Sequence, residues 1–211
     1  MKKILLAFFS IFLISMLSAE GWQKNLEMGI AFPFGYFTGD GESVDDKETV
    51  FDMNYLAIRE ANKLAIKLNL GAGIGRSDKI DLDGQGAFRG SLSVGYAPIL
   101  DEKFTLAIMG HIGFFVSDYE KKTKAAGIRT ESSAHFRIGT IGADITGMYH
   151  FTKHLGFYTN LGFYMPFCGH LKTKAKSSPV SDYFNKTTLY DNKISLNGLI
   201  IAPAFGLTWR F

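Results

Sequence analysis

In the stretch Leu26-Glu27-Met28-Gly29-Ile30-Ala31-Phe32-Pro33-Phe34-Gly35-Tyr36, every even position is large and apolar while every odd position is small or polar. Side chains alternate across a strand with period two, so this pattern predicts a strand with one greasy face and one that is not. The same period runs over 64–75, where Leu64, Ile66, Leu68, Leu70 and Ile74 interleave with Ala65, Lys67, Asn69, Gly71 and Gly75. It returns over 88–96, with Leu92 and Val94 opposite Arg89 and Ser91, and over 157–167, with Leu161, Phe163 and Met165 opposite Tyr158, Asn160 and Gly162. Weaker segments at 51–55, 104–116, 135–149 and 199–211 bring the set to eight. Within 135–149, Phe136 and Ile138 give way to Ile141, Ala143 and Ile145, a change of phase that predicts a bulge near Gly139.

The connections alternate in length. Short ones lie near 60–63, 98–103 and 151–154, and long ones near 37–49, 76–86, 117–132 and 168–192. An up-and-down transmembrane barrel has this asymmetry, with short periplasmic turns and longer extracellular loops. Side-chain volume says which face meets which solvent. The chain carries 19 Phe, 9 Tyr and 2 Trp beside 23 Gly, a glycine share well above the ~7% typical of proteins. An eight-stranded barrel has an interior just wide enough for side chains to fill, so Gly, Ala, Ser and Asn belong inside and Phe, Leu and Ile against lipid. Aromatic residues near strand ends, Tyr36, Tyr55, Phe88, Tyr96, Phe104, Tyr149, Phe157, Phe167 and Trp209, fit interfacial girdles. The fold expected is all-β, an eight-stranded antiparallel up-and-down transmembrane barrel.

The compartment follows from the first residues. Met1-Lys2-Lys3 leads into the apolar run Ile4 to Leu17 and then Ser18-Ala19, ahead of the first acid, Glu20. This order reads as a signal peptide over 1–19, cleaved after Ala19, with a barrel domain over 20–211. The run is shorter than the ~17–25 residues of a helical span. Cys168, the single cysteine, excludes an internal disulfide and Cys-rich zinc patterns. The formal charge of +3 includes Lys2 and Lys3, so the exported chain carries 3 − 2 = +1, too little for a nucleic-acid binder.

The ending Phe205-Gly206-Leu207-Thr208-Trp209-Arg210-Phe211 places an aromatic residue last, with apolar residues at every second position before it. It resembles the C-terminal targeting strand of Gram-negative outer-membrane barrels. With the leader and the eight segments, the chain is similar to the small barrels of the OmpA/OmpX/OmpW type. That resemblance implies recognition of Phe205, Leu207, Trp209 and Phe211 by the barrel assembly machinery, and an outer-membrane location among its lipids.

Counting inward from the periplasmic end places Glu27, Lys67, Asp144 and Arg210 in the lower third of the lumen, near Asn25, Asn69, Tyr158 and Asn160. Charges in so narrow a space are expected to pair with one another. Asp52, Asn54, Arg89 and His111 are expected to form a second polar layer towards the outer end. Ser133, His135 and Glu131 are the only grouping with the residue types of a hydrolase triad, and the five His are too scattered for a metal site. No catalytic group, cofactor or metal is expected. The first long loop is acidic (Asp40, Glu42, Asp45, Asp46, Glu48) and the fourth basic (Lys172, Lys174, Lys176, Lys186). The expected role is a monomeric structural or adhesive barrel that meets host or surface ligands through its loops. The alternatives are a narrow channel for small or apolar solutes and a lipid-modifying enzyme.

Overall fold

A computed structural model describes residues 20–39, 42–77, 83–125, 127–179 and 187–211; the leader 1–19, Asp40 and Lys186 lie outside the described residues. The strands are β1 (Trp22–Ala31), β2 (Phe34–Gly39), β3 (Glu42–Arg59), β4 (Leu64–Arg76), β5 (Asp83–Leu100), β6 (Phe104–Ala125), β7 (Ile128–His150), β8 (Leu155–Pro179), β9 (Thr187–Ser195) and β10 (Asn197–Arg210). β1 and β2 continue one another across Phe32 and Pro33, because both pair with β3 and with β10. The break costs little pairing: Phe32 N–H donates to the Pro203 carbonyl at 2.9 Å and Glu48 N–H to that of Pro33 at 2.8 Å. β9 and β10 likewise both pair with β8. The ten segments are therefore eight staves, and the pairing of β10 with β1 and β2 closes the ring with no free edge in the wall.

The outward rows are the predicted ones. Met28, Ile30, Phe32, Phe34 and Tyr36 are exposed on the first stave, Ile108, Ile112 and Phe114 on β6, and Phe157, Phe163, Met165 and Phe167 on β8. On β6 the apolar row runs from Phe104 to Val116, about 40 Å along the strand and about 30 Å along the axis at a tilt near 40°, which matches a membrane barrel. The chain ends close to the short turns: Glu60 N–H donates to the Gly21 carbonyl and Phe211 N–H to that of Lys24.

Three expectations need correction. β7 keeps one phase throughout, with Phe136 and Ile138 buried inside the barrel. The bulge expected near Gly139 is present as a register shift between Gly139 and Thr140, but its extra residue is Phe167 of β8, between the partners Cys168 and Pro166. Secondly, the long connections are mostly strand. β6 and β7 stay paired out to Ala125 and Ile128, and β8 continues to Pro179 against β7 and β9. Above the lipid both faces of a strand are polar, so the period-two signal vanishes although the ladder does not. Thirdly, bulk is not confined to the lipid face, because the outer third of the lumen holds Phe37, Phe115, Tyr119 and Phe136.

Candidate functional site

The lumen is built in layers, each made possible by glycines across from long side chains. Gly71 of β4 lies between Asp52 of β3 and Arg89 of β5 in the register. A Cβ at Gly71 would meet Asp52 Oδ1 and Val50 Cγ1. With no side chain there, Arg89 reaches over β4: Nε donates to Asp52 Oδ1 at 2.9 Å and Nη2 to Oδ2, and both residues are buried. Arg89 also lies over the Phe115 ring, 5.9 Å from its centroid. A bidentate pair of this kind repays much of its desolvation through directed hydrogen bonds.

Asp144 is the hub of the middle layer. Its Oδ1 accepts from Tyr164 OH at 2.6 Å and from Asn160 Nδ2 at 3.2 Å, and its Oδ2 accepts from Ser93 Oγ at 2.6 Å. His111 Nδ1 lies 3.2 Å from the same Oδ2, its Nε2 lies 3.2 Å from Thr140 Oγ1, and its ring stacks on Tyr164 at 3.8 Å. Tyr164 reaches Asp144 by folding over Gly162, where any Cβ would strike its ring. Lys67 Nζ donates to Asn160 Oδ1 at 2.7 Å and to Thr146 Oγ1 at 3.2 Å. Lys67 and Asp144 are thus joined through Asn160 rather than by contact.

Glu27 and Arg210 stand apart from this network. Glu27 is wholly buried beside Lys67 and Asn54, and among the described residues neither of its carboxylate oxygens makes a well-formed hydrogen bond; the same holds for the amide of Asn25 and the hydroxyl of Tyr158. Arg210 reaches across the mouth at the short-turn end, where Nη1 donates to the Glu102 carbonyl at 2.8 Å and Nη2 lies 2.9 Å from His150 Nδ1. The four charges expected to pair therefore divide into a pair linked through Asn160, an acid that feels Lys67 without an ion-pair contact among the described residues, and a strap over the mouth. The position of Arg210 as the last residue of β10 is the reason: its long side chain sweeps the rim.

Apolar layers lie on either side. Towards the short turns Leu56, Ile58, Met109 and Met148 pack with Ala65, Ala97 and Ala107. Towards the outside Phe37, Phe115, Tyr119, Phe136, Ile138, Leu171 and Ile200 fill the bore. The space left between is small, about 10 Å³, and is bordered by Asp52, Lys67, Arg89, His111, Asp144 and Tyr164. Three of the five acids of the first long loop belong to this outer layer. Asp45, Asp46 and Glu48 are buried; Ser117 Oγ lies between Asp46 (2.9 Å) and Glu48, Tyr119 OH donates to Asp46, and Ser77 Oγ donates to Asp45 at 3.0 Å. No sequence signal separated them from a surface loop, because their partners lie on β6 and just past the end of β4.

The hydrolase grouping does not assemble. His135 Nδ1 lies 2.8 Å from Asp118 Oδ1 on β6, and Glu131 pairs with Arg129 at 3.5 Å. Phe205, Leu207, Trp209 and Phe211 all face outward and are exposed. Trp209 stacks on His154 at 5.4 Å.

No protein-family model and no curated protein matches the chain. Among solved structures, a major outer membrane protein from Thermus thermophilus is similar over 88% of this chain and 99% of its own, at TM-score 0.51 and 15% identity. Ail, the attachment invasion locus protein of Yersinia pestis, is similar over 92% and 100%, at TM-score 0.48 and 13% identity. The outer membrane protease OmpT of Escherichia coli is similar over 92% and 98%, at TM-score 0.44 and 7% identity. With its closed ring, its apolar belt and its likeness to the Thermus protein, the chain has the fold of an eight-stranded antiparallel transmembrane β-barrel.

Proposed function

We propose that the protein is a monomeric surface-recognition barrel, exported with residues 1–19 as a cleaved leader and anchored so that β6 to β9 project beyond the outer leaflet. The observation that carries this reading is the continuation of β6 past Val116 to Ala125 and of β8 past Phe167 to Pro179, both still paired. That is about 25 Å or more of further strand on each. A lumen filled by two apolar layers supports recognition over conduction. Nothing in the small net charge favours a nucleic acid.

Replacing residues 119–134 by a tight turn tests it. Heat-modifiable mobility on gels should persist while attachment of expressing cells to a host-cell layer is lost. Unchanged attachment sinks the reading. In the same proposal Phe205, Leu207, Trp209 and Phe211 are read by the assembly machinery, so deleting Phe211 should lower the heat-modifiable fraction in cells without changing synthesis. An undiminished fraction argues against that role.

A further inference from the structure

Asp46 and Glu48 of β3 meet Ser117 and Tyr119 of β6 where the bore opens outward, and all four are buried. On β3 the exposed apolar row ends at Phe51, and on β6 the apolar row ends at Val116. The four side chains therefore lie just beyond the lipid belt. Tyr119 reaches Asp46 by passing over Gly75 of β4, where a Cβ would lie 2.7 Å from its hydroxyl. The contacts tie the outer end of the hairpin formed by β2 and β3 to β6, across β4 and β5.

Proton counting constrains this tie. Tyr119 OH donates to Asp46 Oδ1, while Ser117 Oγ lies 2.9 Å from Asp46 Oδ2 and also contacts Glu48 Oε1. These three oxygen–oxygen contacts need three protons, and the two hydroxyls supply one each. With both acids ionised, one contact would set lone pair against lone pair. The other Glu48 oxygen, Oε2, is buried and has no hydrogen-bond partner among the described residues.

The surroundings do not balance a second negative charge. Arg89 of β5 attracts Glu48, but its fork is taken by Asp52, and Asp52 itself repels Glu48 as Asp45 repels Asp46. The small cavity beside the pair is walled by Gly35, Phe37, Phe115, Ile138 and Ile200, so β2, β7 and β10 bring no charge to it. Among the described residues no three Asp, Glu, His or Cys side chains gather as a metal site. Burial, with Asp46 beside it, pushes the Glu48 carboxyl up.

We propose that Asp46, Ser117 and Glu48 share one proton, and that its loss at alkaline pH releases the outer end of β3 from β6. An acid whose folded pKa is raised costs nothing below its unfolded value near ~4.3, and destabilises the fold as pH rises towards the folded one. The latch is therefore closed at mildly acidic pH and weakens up to about pH 9, the upper range for a buried glutamate.

The test follows loss of sheet by circular dichroism on heating, with the full exported chain in detergent micelles between about pH 5 and about pH 9. The wild-type midpoint should fall by about 5 °C over this range, whereas E48Q should be flat and more stable than wild type at the alkaline end. An infrared band of a protonated carboxyl, present in wild type at neutral pH, should shrink in E48Q and in D46N. If E48Q does not fold, D46N carries both measurements, with the same flat profile expected. A slope that survives in the variant belongs to another buried acid, Glu27 first, and overturns the latch; so does an undiminished infrared band. Recovery of the wild-type midpoint on adding calcium ions at the alkaline end overturns it too, because the pair would then hold a cation in place of the proton.

Discussion

Asp144 and Asp52 show how a buried carboxylate is held inside a narrow barrel. Each is enclosed by directed donors rather than by a bare countercharge: Asp144 by Ser93, Asn160 and Tyr164, Asp52 by the fork of Arg89. Removing one member leaves the other charged and dry. Asp52→Asn is therefore expected to cost about 3–5 kcal/mol, whereas D52L/R89L should fall close to wild type. Urea unfolding in lipid compares the two; a double variant as unstable as the single one would refute the argument. At the outer rim, burial raises the Asp118 carboxyl and the Arg137 and His135 bonds outweigh it, so its pKa lies below the usual value. A depressed folded pKa means that its contribution is complete above the unfolded value near ~3.9 and is lost as pH falls through the lower folded one. Amide exchange in the outer part of β6 and β7 should therefore accelerate below about pH 4, and Asp118→Asn should abolish that dependence. At this scale the sequence was partly legible. It marked Glu27, Lys67, Asp144, Asp52 and Arg89 as inward by parity. It could not assign partners, since Lys67 meets Asn160 across 93 residues and Arg89 meets Asp52 across 37.

Among the elements, the glycines of β4 are structural spacers. Gly71→Leu should push Asp52 and Arg89 apart and cost about 1–3 kcal/mol, the range for overpacking. Gly110→Ala is the control, because its Cβ would meet only the Val94 carbonyl at 3.7 Å, and it should be nearly neutral. Both are read from unfolding midpoints; equal effects would deny the spacer role. The strands themselves were legible wherever one face met lipid. Recognition failed in the outer parts of β6 to β9, where polar residues occupy both faces. It also failed at Phe136 and Ile138, whose apolar character belongs to the bore and imitates a lipid-facing row.

For the whole molecule, the two apolar layers decide permeability. Wild type should show no conductance steps in planar bilayers. F37A/F136A should stay closed because Met109 and Met148 still fill the floor, and M109A/M148A should stay closed for the converse reason. Only the fourfold variant is expected to leak small ions; steady steps in wild type would show that the layers do not seal. Period two and the alternating connections determined a membrane barrel from the sequence alone, because lipid imposes a one-residue rule on each strand independently. What fills the bore was decided only in three dimensions. Whether Asp46 is a loop acid or a buried one, and whether Phe136 faces lipid or lumen, depends on side chains meeting across a closed ring. Those meetings are set by register and closure, which no local pattern encodes.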